Sequence, residues 1–142
     1  MAGILMFSMF VVAREGAVYV NSTQVEEKRD ICVVIDAGHG GADPGKVGIN
    51  NQMEKDINLH IAHLLKQFLQ AEGITVVMTR EGDAGLYDEN ASNKKVQDMK
   101  RRLAMIEEAE PVLVVSIHQN SYHEEYVKGA QVFYYKDSSD SK

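Results

Sequence analysis

The chain has 142 residues, the size of one domain. Its 44% hydrophobic and 25% charged content is that of a folded protein and excludes disorder over most of its length. A formal net charge of -6 argues against a nucleic-acid partner, because neutralising phosphates takes clustered Lys and Arg.

From the N-terminus, Met1 to Ala13 is almost wholly apolar and is closed by Arg14 and Glu15. The run is short for a bilayer span but matches the apolar core of a signal peptide. Residues 1–20 are therefore expected to be an export signal or a membrane anchor, although no basic segment precedes the run; a buried helix is the alternative. Residues 21–30 are polar and read as a linker. Residues 31–142 then read as the folded part of the chain.

Ile31–Ile35 is an apolar, β-branched run and predicts a buried strand. Cys32, the only cysteine, falls in it, so no intrachain disulfide can form and the thiol reads as a strand residue. A glycine-rich loop follows, Asp36-Ala37-Gly38-His39-Gly40-Gly41 and on to about Gln52. The spacing of Ile57, Ile61, Leu64, Leu65, Phe68 and Leu69 predicts a helix from Met53 to Glu72 with that stripe buried, and Gly73 stops it. Ile74–Thr79 predicts a second strand, and residues 80–93 a loop.

A second helix is expected from Lys94 to Ala109, buried through Val96, Met99, Leu103 and Ile106. The cluster Lys100, Arg101 and Arg102 on it sits among acids and reads as a solvated face. Val112–Ile117 is a third strand, expected to be buried, and Ala130–Tyr135 a fourth. Strand alternating with helix predicts an α/β fold, a mostly parallel sheet flanked by helices.

Parallel α/β sheets place ligands outside the carboxyl ends of their strands. His39 lies just past the first strand, His118 just past the third, and Glu54 in the first turn of the first helix. Two imidazoles and one carboxylate, with a fourth position left open, make a catalytic zinc set. Zinc there lowers the pKa of a water to about 7 and polarises a carbonyl. Asp36, three residues before His39, is placed to orient that imidazole. The glycines could instead cradle phosphate, but neither the Walker pattern nor G-x-G-x-x-G is present, and no H-E-x-x-H occurs. His60, His63 and His123 read as solvated bystanders.

The motifs V-V-I-D-A-G-H-G-G-A-D-P-G, Q-M-E-K-D, V-M-T-R, V-V-S-I-H-Q-N-S and G-A-Q-V-F-Y-Y follow one another in this order. As a set, from about Ile31 to Tyr135, they resemble the zinc N-acetylmuramoyl-L-alanine amidases, which hydrolyse bacterial peptidoglycan. The resemblance implies Zn2+ as cofactor, held by His39, Glu54 and His118, the residues already reached from the sheet edge. It implies Asn120 as a wall of the substrate groove, and structural roles near the loops for Arg80 and Arg102. It implies peptidoglycan as the partner, an exported protein, and hydrolysis of the amide between N-acetylmuramic acid and L-alanine. The wording of the last two motifs is similar to the germination-specific, spore-cortex type. The family's catalytic glutamate would lie beyond Lys142, so no catalytic base is identified and the sheet is expected to be incomplete at the C-terminus. An inactive zinc- or wall-binding fragment and a zinc peptidase acting on the stem peptide are the alternatives.

Overall fold

The computed structural model describes residues 31–122, 124 and 126–134. The expected export segment, the linker, His123 and Tyr135 lie outside the described residues. In chain order the elements are β1 (Cys32–Ala37), α1 (Glu54–Ala71), β2 (Thr75–Met78), α2 (Lys94–Ala109) and β3 (Leu113–Ile117). Among the described residues no helix is long and apolar enough to cross a membrane.

The three strands form one parallel sheet in the order β2-β1-β3. Cys32 pairs with Thr75 on one side, and Asp36 pairs with Ser116 on the other. The order reverses direction at β1. With right-handed connections, α1 and α2 must then lie on opposite faces of the sheet. Alternation along β1 confirms it. Val33, Ile35 and Ala37 pack with Ala62 of α1, whereas Asp36 bonds Arg102 of α2. Val34 and Ile35 are both fully buried, as a central strand covered on two faces requires. Ligands in such sheets bind where the strand order reverses, here at the carboxyl ends of β1 and β3.

Helix α1 ends as Gly73 predicts. With Glu72 as C-cap, Gly73 takes a φ of 75°. Its N–H donates to Gln70 O, and the N–H of Ile74 donates to Leu69 O, the two bonds of a Schellman ending. Helix α2 starts at Asn93, whose side chain accepts from Val96 N at 3.1 Å.

Four expectations are corrected. Ile57, Ile61, Leu64 and Phe68 of α1 are exposed rather than buried. The sheet-facing stripe is turned by one residue, to Asn58, Leu59, Ala62, Leu65 and Leu69. On α2, Val96, Met99 and Leu103 are exposed, and Arg102 is the buried residue, not part of a solvated face. β3 is not a buried strand: among the described residues it pairs on one side only and leaves Leu113 and Val114 exposed, while Val115 and Ile117 reach the core. Residues 130–134 form no strand, and Val132, Phe133 and Tyr134 stand exposed, so the expected fourth strand has no ladder to join among the described residues.

Candidate metal centre

The loop between β1 and α1 builds the site. At the end of β1 the chain leaves the sheet through Gly38, whose N–H still donates to Ile117 O at 3.0 Å. A Cβ on Gly38 would lie 2.3 Å from the His118 ring, so only glycine lets that imidazole approach. His39 follows with a φ of 64°, a left-handed conformation that costs a non-glycine residue about 1–2 kcal/mol. Its carbonyl is held at 2.7 Å by Arg102 Nη2. The reversal at His39 swings its imidazole away from the sheet and towards the first turn of α1.

That turn is seated by the same loop. Met53 offers no side-chain cap. Instead the orphan N–H groups of Glu54 and Lys55 donate to the carbonyls of Lys46 and Pro44. In return, Glu54 Oε2 accepts from Lys46 N at 2.8 Å. Gly45 sits between, at a φ of 65°, where a Cβ would clash with both His39 and Glu54.

His39, Glu54 and His118 come together: one ligand atom from each lies within 4.8 Å of the others. His39 Nε2 is 3.2 Å from Glu54 Oε1, and His118 Nδ1 is 3.1 Å from the same oxygen. The two rings meet edge to face, centroids 4.9 Å apart. Burial alone would raise the Glu54 carboxyl. The N–H groups of Lys46 and Gln119, with Asn58 and His118, outweigh it and hold the pKa down to about 2. The carboxylate is therefore an anion near neutral pH. Beside the histidines a cavity of about 570 Å³ runs towards the N-terminus of α2, lined by Tyr87, Lys95 and Met99 among others.

The remaining expected residues fall differently. Asp36 does not touch the His39 imidazole. As a strand residue it points to the α2 face, where Oδ1 accepts from Thr79 Oγ1 and Arg102 Nη1, and Oδ2 from Ser116 Oγ. The imidazole's partner is Asp43, with Oδ2 3.0 Å from Nδ1. Asn120 donates to Gln131 at 2.7 Å and is not among the cavity-lining residues. His60 is exposed, and His63 meets only the carbonyl of Glu81.

Three further residues support the site. Asn58, fully buried, donates to Gly38 O and Glu54 Oε1 and accepts from Gln119. Arg80 donates to the carbonyls of Ala37, Gly38 and Lys55, tying the end of β1 to the start of α1. From the other face Arg102 holds the same end of β1, donating to Ala37 O and His39 O, and ties it to Asp98 of α2. Only Arg80 and Arg102 carried a signal in the sequence, as motif positions; Asn58 carried none.

The Asp36 carboxyl gives a pH prediction. Burial raises it, but hydrogen bonds from Arg102, Thr79 and Ser116 prevail and hold it below its ordinary 3.8. A depressed carboxyl stabilises the fold fully above its unfolded value and loses that contribution as pH falls through the folded one. Acid should therefore destabilise the chain steeply below about pH 4. In Asp36→Asn that acid-labile component should be absent, read as a flatter dependence of Tm on pH; equal slopes would refute it.

Comparison with known proteins agrees with this architecture. A family model described as N-acetylmuramoyl-L-alanine amidase matches residues 33–142. The chain is 40% identical over 106 residues to the germination-specific N-acetylmuramoyl-L-alanine amidase of Bacillus subtilis (strain 168), covering 72% of this chain and 44% of that protein. It is 34% identical over 103 residues to the amidase AmiA of Escherichia coli (strain K12), covering 71% of this chain and 31% of that protein. The chain thus spans less than half the length of these relatives. Among solved structures, the CwlD amidase of Clostridioides difficile, in complex with the GerS lipoprotein, aligns with a TM-score of 0.72 at 37% identity, covering 76% of this chain and 57% of that one. The catalytic domain of CwlV from Bacillus (Paenibacillus) polymyxa var. colistinus aligns with a TM-score of 0.56 at 34% identity, covering 68% and 49%.

Proposed function

The chain belongs to the N-acetylmuramoyl-L-alanine amidase family, and from that premise we propose that it holds zinc through His39, Glu54 and His118 to cleave the amide between N-acetylmuramic acid and L-alanine in peptidoglycan. The observation that carries the reading is the spacing of the donors. Zinc–ligand bonds of about 2.0–2.2 Å set tetrahedral edges of roughly 3.4 Å. The two Glu54 Oε1 separations, 3.2 Å and 3.1 Å, are close to that edge. Two neutral imidazoles and one anionic carboxylate are also the donor types zinc takes in hydrolases.

When bound, zinc supplies Lewis acidity, polarising the lactyl carbonyl and lowering the pKa of water to about 7. Glu54 contributes the single negative charge that offsets the ion. Lys46 N, Gln119 N and Asn58 Nδ2 also donate to it, which holds it in place. The half-exposed His118 and the adjoining cavity leave one side open, where a glycan–peptide strand can lie. All three ligands are occupied by the ion, so the proton acceptor for the attacking water is another group. Peptidoglycan lies outside the plasma membrane, so this activity requires export, in keeping with the apolar segment of residues 1–20. The 40% identity to the germination-specific relative supports the spore-cortex type over a vegetative one.

The test is amine release from purified peptidoglycan by the chain, with zinc and with a chelator. The expected result is a new, chelator-sensitive L-alanine amino group. Release of a different residue's amine would make the chain a zinc peptidase. Stoichiometric zinc binding with no amine released would leave a metal-holding chain without turnover.

A further inference from the structure

His39 has two ring nitrogens, and only one can face the ion. Its Nδ1 lies 3.0 Å from Asp43 Oδ2. An ionised carboxylate has no proton to give, so the nitrogen facing it must carry the hydrogen and donate. The other nitrogen, Nε2, then presents a lone pair to Glu54 Oε1 at 3.2 Å. Two acceptors facing each other at that distance are unfavourable unless a cation, a proton or a metal ion, lies between them.

Asp43 is itself firmly seated. Its other oxygen, Oδ1, accepts from Gly45 N at 3.1 Å. Its backbone exchanges both hydrogen bonds with Gly40, at 3.0 Å and 3.1 Å, closing the turn that carries His39. Those backbone bonds do not depend on the carboxylate, and the side chain is 45% exposed. Removing the carboxylate therefore subtracts an orienting bond without emptying a core position.

The geometry points to Asp43 as a positioning residue for metal capture, one that keeps the His39 proton on Nδ1 and so reserves Nε2 for the ion. This rests on the zinc reading above. His118 supplies an internal control: its Nδ1 faces Glu54, and Asp43 does not touch it. The sequence offered Asp36 for this role at a similar separation, but strand alternation turns that carboxylate to the opposite face.

The experiment uses the full chain and Asp43→Asn, Asp43→Ala and Asp43→Glu. Ring-nitrogen NMR of the zinc-free protein, at a pH where both imidazoles are neutral, reads the tautomers. Competition with a chromophoric chelator reads zinc affinity. The native chain is expected to show His39 as the Nδ1–H form. Asp43→Ala should shift it towards Nε2–H, leave His118 unchanged, and weaken zinc binding by about 10–100-fold. In Asp43→Asn one amide oxygen cannot serve both Gly45 N and Nδ1, so a loss in the same direction is expected. Asp43→Glu, which restores a carboxylate, should recover part of the affinity. An unchanged His39 tautomer in both Asn and Ala variants overturns the proposal, even if zinc affinity falls. A native chain that binds no zinc sinks the metal reading instead, while the tautomer comparison still decides the role of Asp43.

Discussion

Glu54→Ala is expected to abolish stoichiometric zinc binding and to lower the Tm of the zinc-free chain as well. The two losses have separate causes. The first is the removal of the only anionic donor of the set. Losing an outer partner of a ligand costs about 10–100-fold in metal affinity, and losing the ligand itself must exceed that. The second is structural. Glu54 is only 5% exposed, and its oxygens take the N–H groups of Lys46 and Gln119. Truncation leaves both donors without their acceptor, at about 1–3 kcal/mol for each that stays buried. Glu54→Gln separates the effects. It keeps the volume and one acceptor oxygen but has no charge, so the chain should stay folded while zinc affinity drops by more than about 100-fold. Metal content after dialysis and thermal melts of both variants check this. A Gln variant that retains one zinc per chain would remove Glu54 from the site.

The convergence of His39, Glu54 and His118 was legible in the sequence because it depends on topology. His39 and His118 each follow an apolar, β-branched run, and parallel strands bring their carboxyl ends to one rim whatever the side chains do there. The orientation of those donors was not legible. Asp36 and Asp43 lie three and four residues from His39, and choosing between them needs the backbone reversal at His39, which the sequence does not announce. The left-handed φ falls on a histidine, although the neighbouring glycines are the residues built for it.

The face of α1 was misread for a related reason. Two stripes overlap on that helix, one residue apart. Ile57, Ile61, Leu64 and Phe68 are the more apolar. The buried one runs through Asn58 and Ala62, because Asn58 must reach Gly38, Glu54 and Gln119. Site chemistry, not hydropathy, sets the rotation of the helix. Arg102 follows the same logic. A charged residue in a basic cluster reads as solvated, and only the convergence of acceptors from β1, Thr79 and α2 draws it inward.

The largest stability loss is expected from Arg102→Ala. Arg102 is 4% exposed and spends its whole fork on the protein. Nε donates to Asp98 Oδ2 at 2.6 Å, Nη1 to Asp36 Oδ1 at 2.7 Å and Ala37 O at 2.9 Å, and Nη2 to His39 O at 2.7 Å. Removing one partner of a buried ion pair costs about 3–5 kcal/mol, because the other charge is left uncompensated. Set against a typical domain stability of about 5–15 kcal/mol, that is a large share of what holds the chain folded. Lysine cannot substitute, since one ammonium cannot span acceptors placed for a planar fork. Arg102→Lys should therefore recover only part of the loss. The double variant Arg102→Met with Asp36→Asn removes the positive charge and one of its two acidic partners, and should be less destabilised than the sum of the singles. Urea denaturation of the four proteins measures the coupling, and additive losses would mean that the pair is not the unit. The variant also loosens the site. The His39 carbonyl loses its anchor while the residue still carries its left-handed strain, so zinc affinity should fall in Arg102→Lys even where the fold survives. The same guanidinium thus serves the core and the candidate metal centre, which accounts for its burial where the sheet releases its chain into the site.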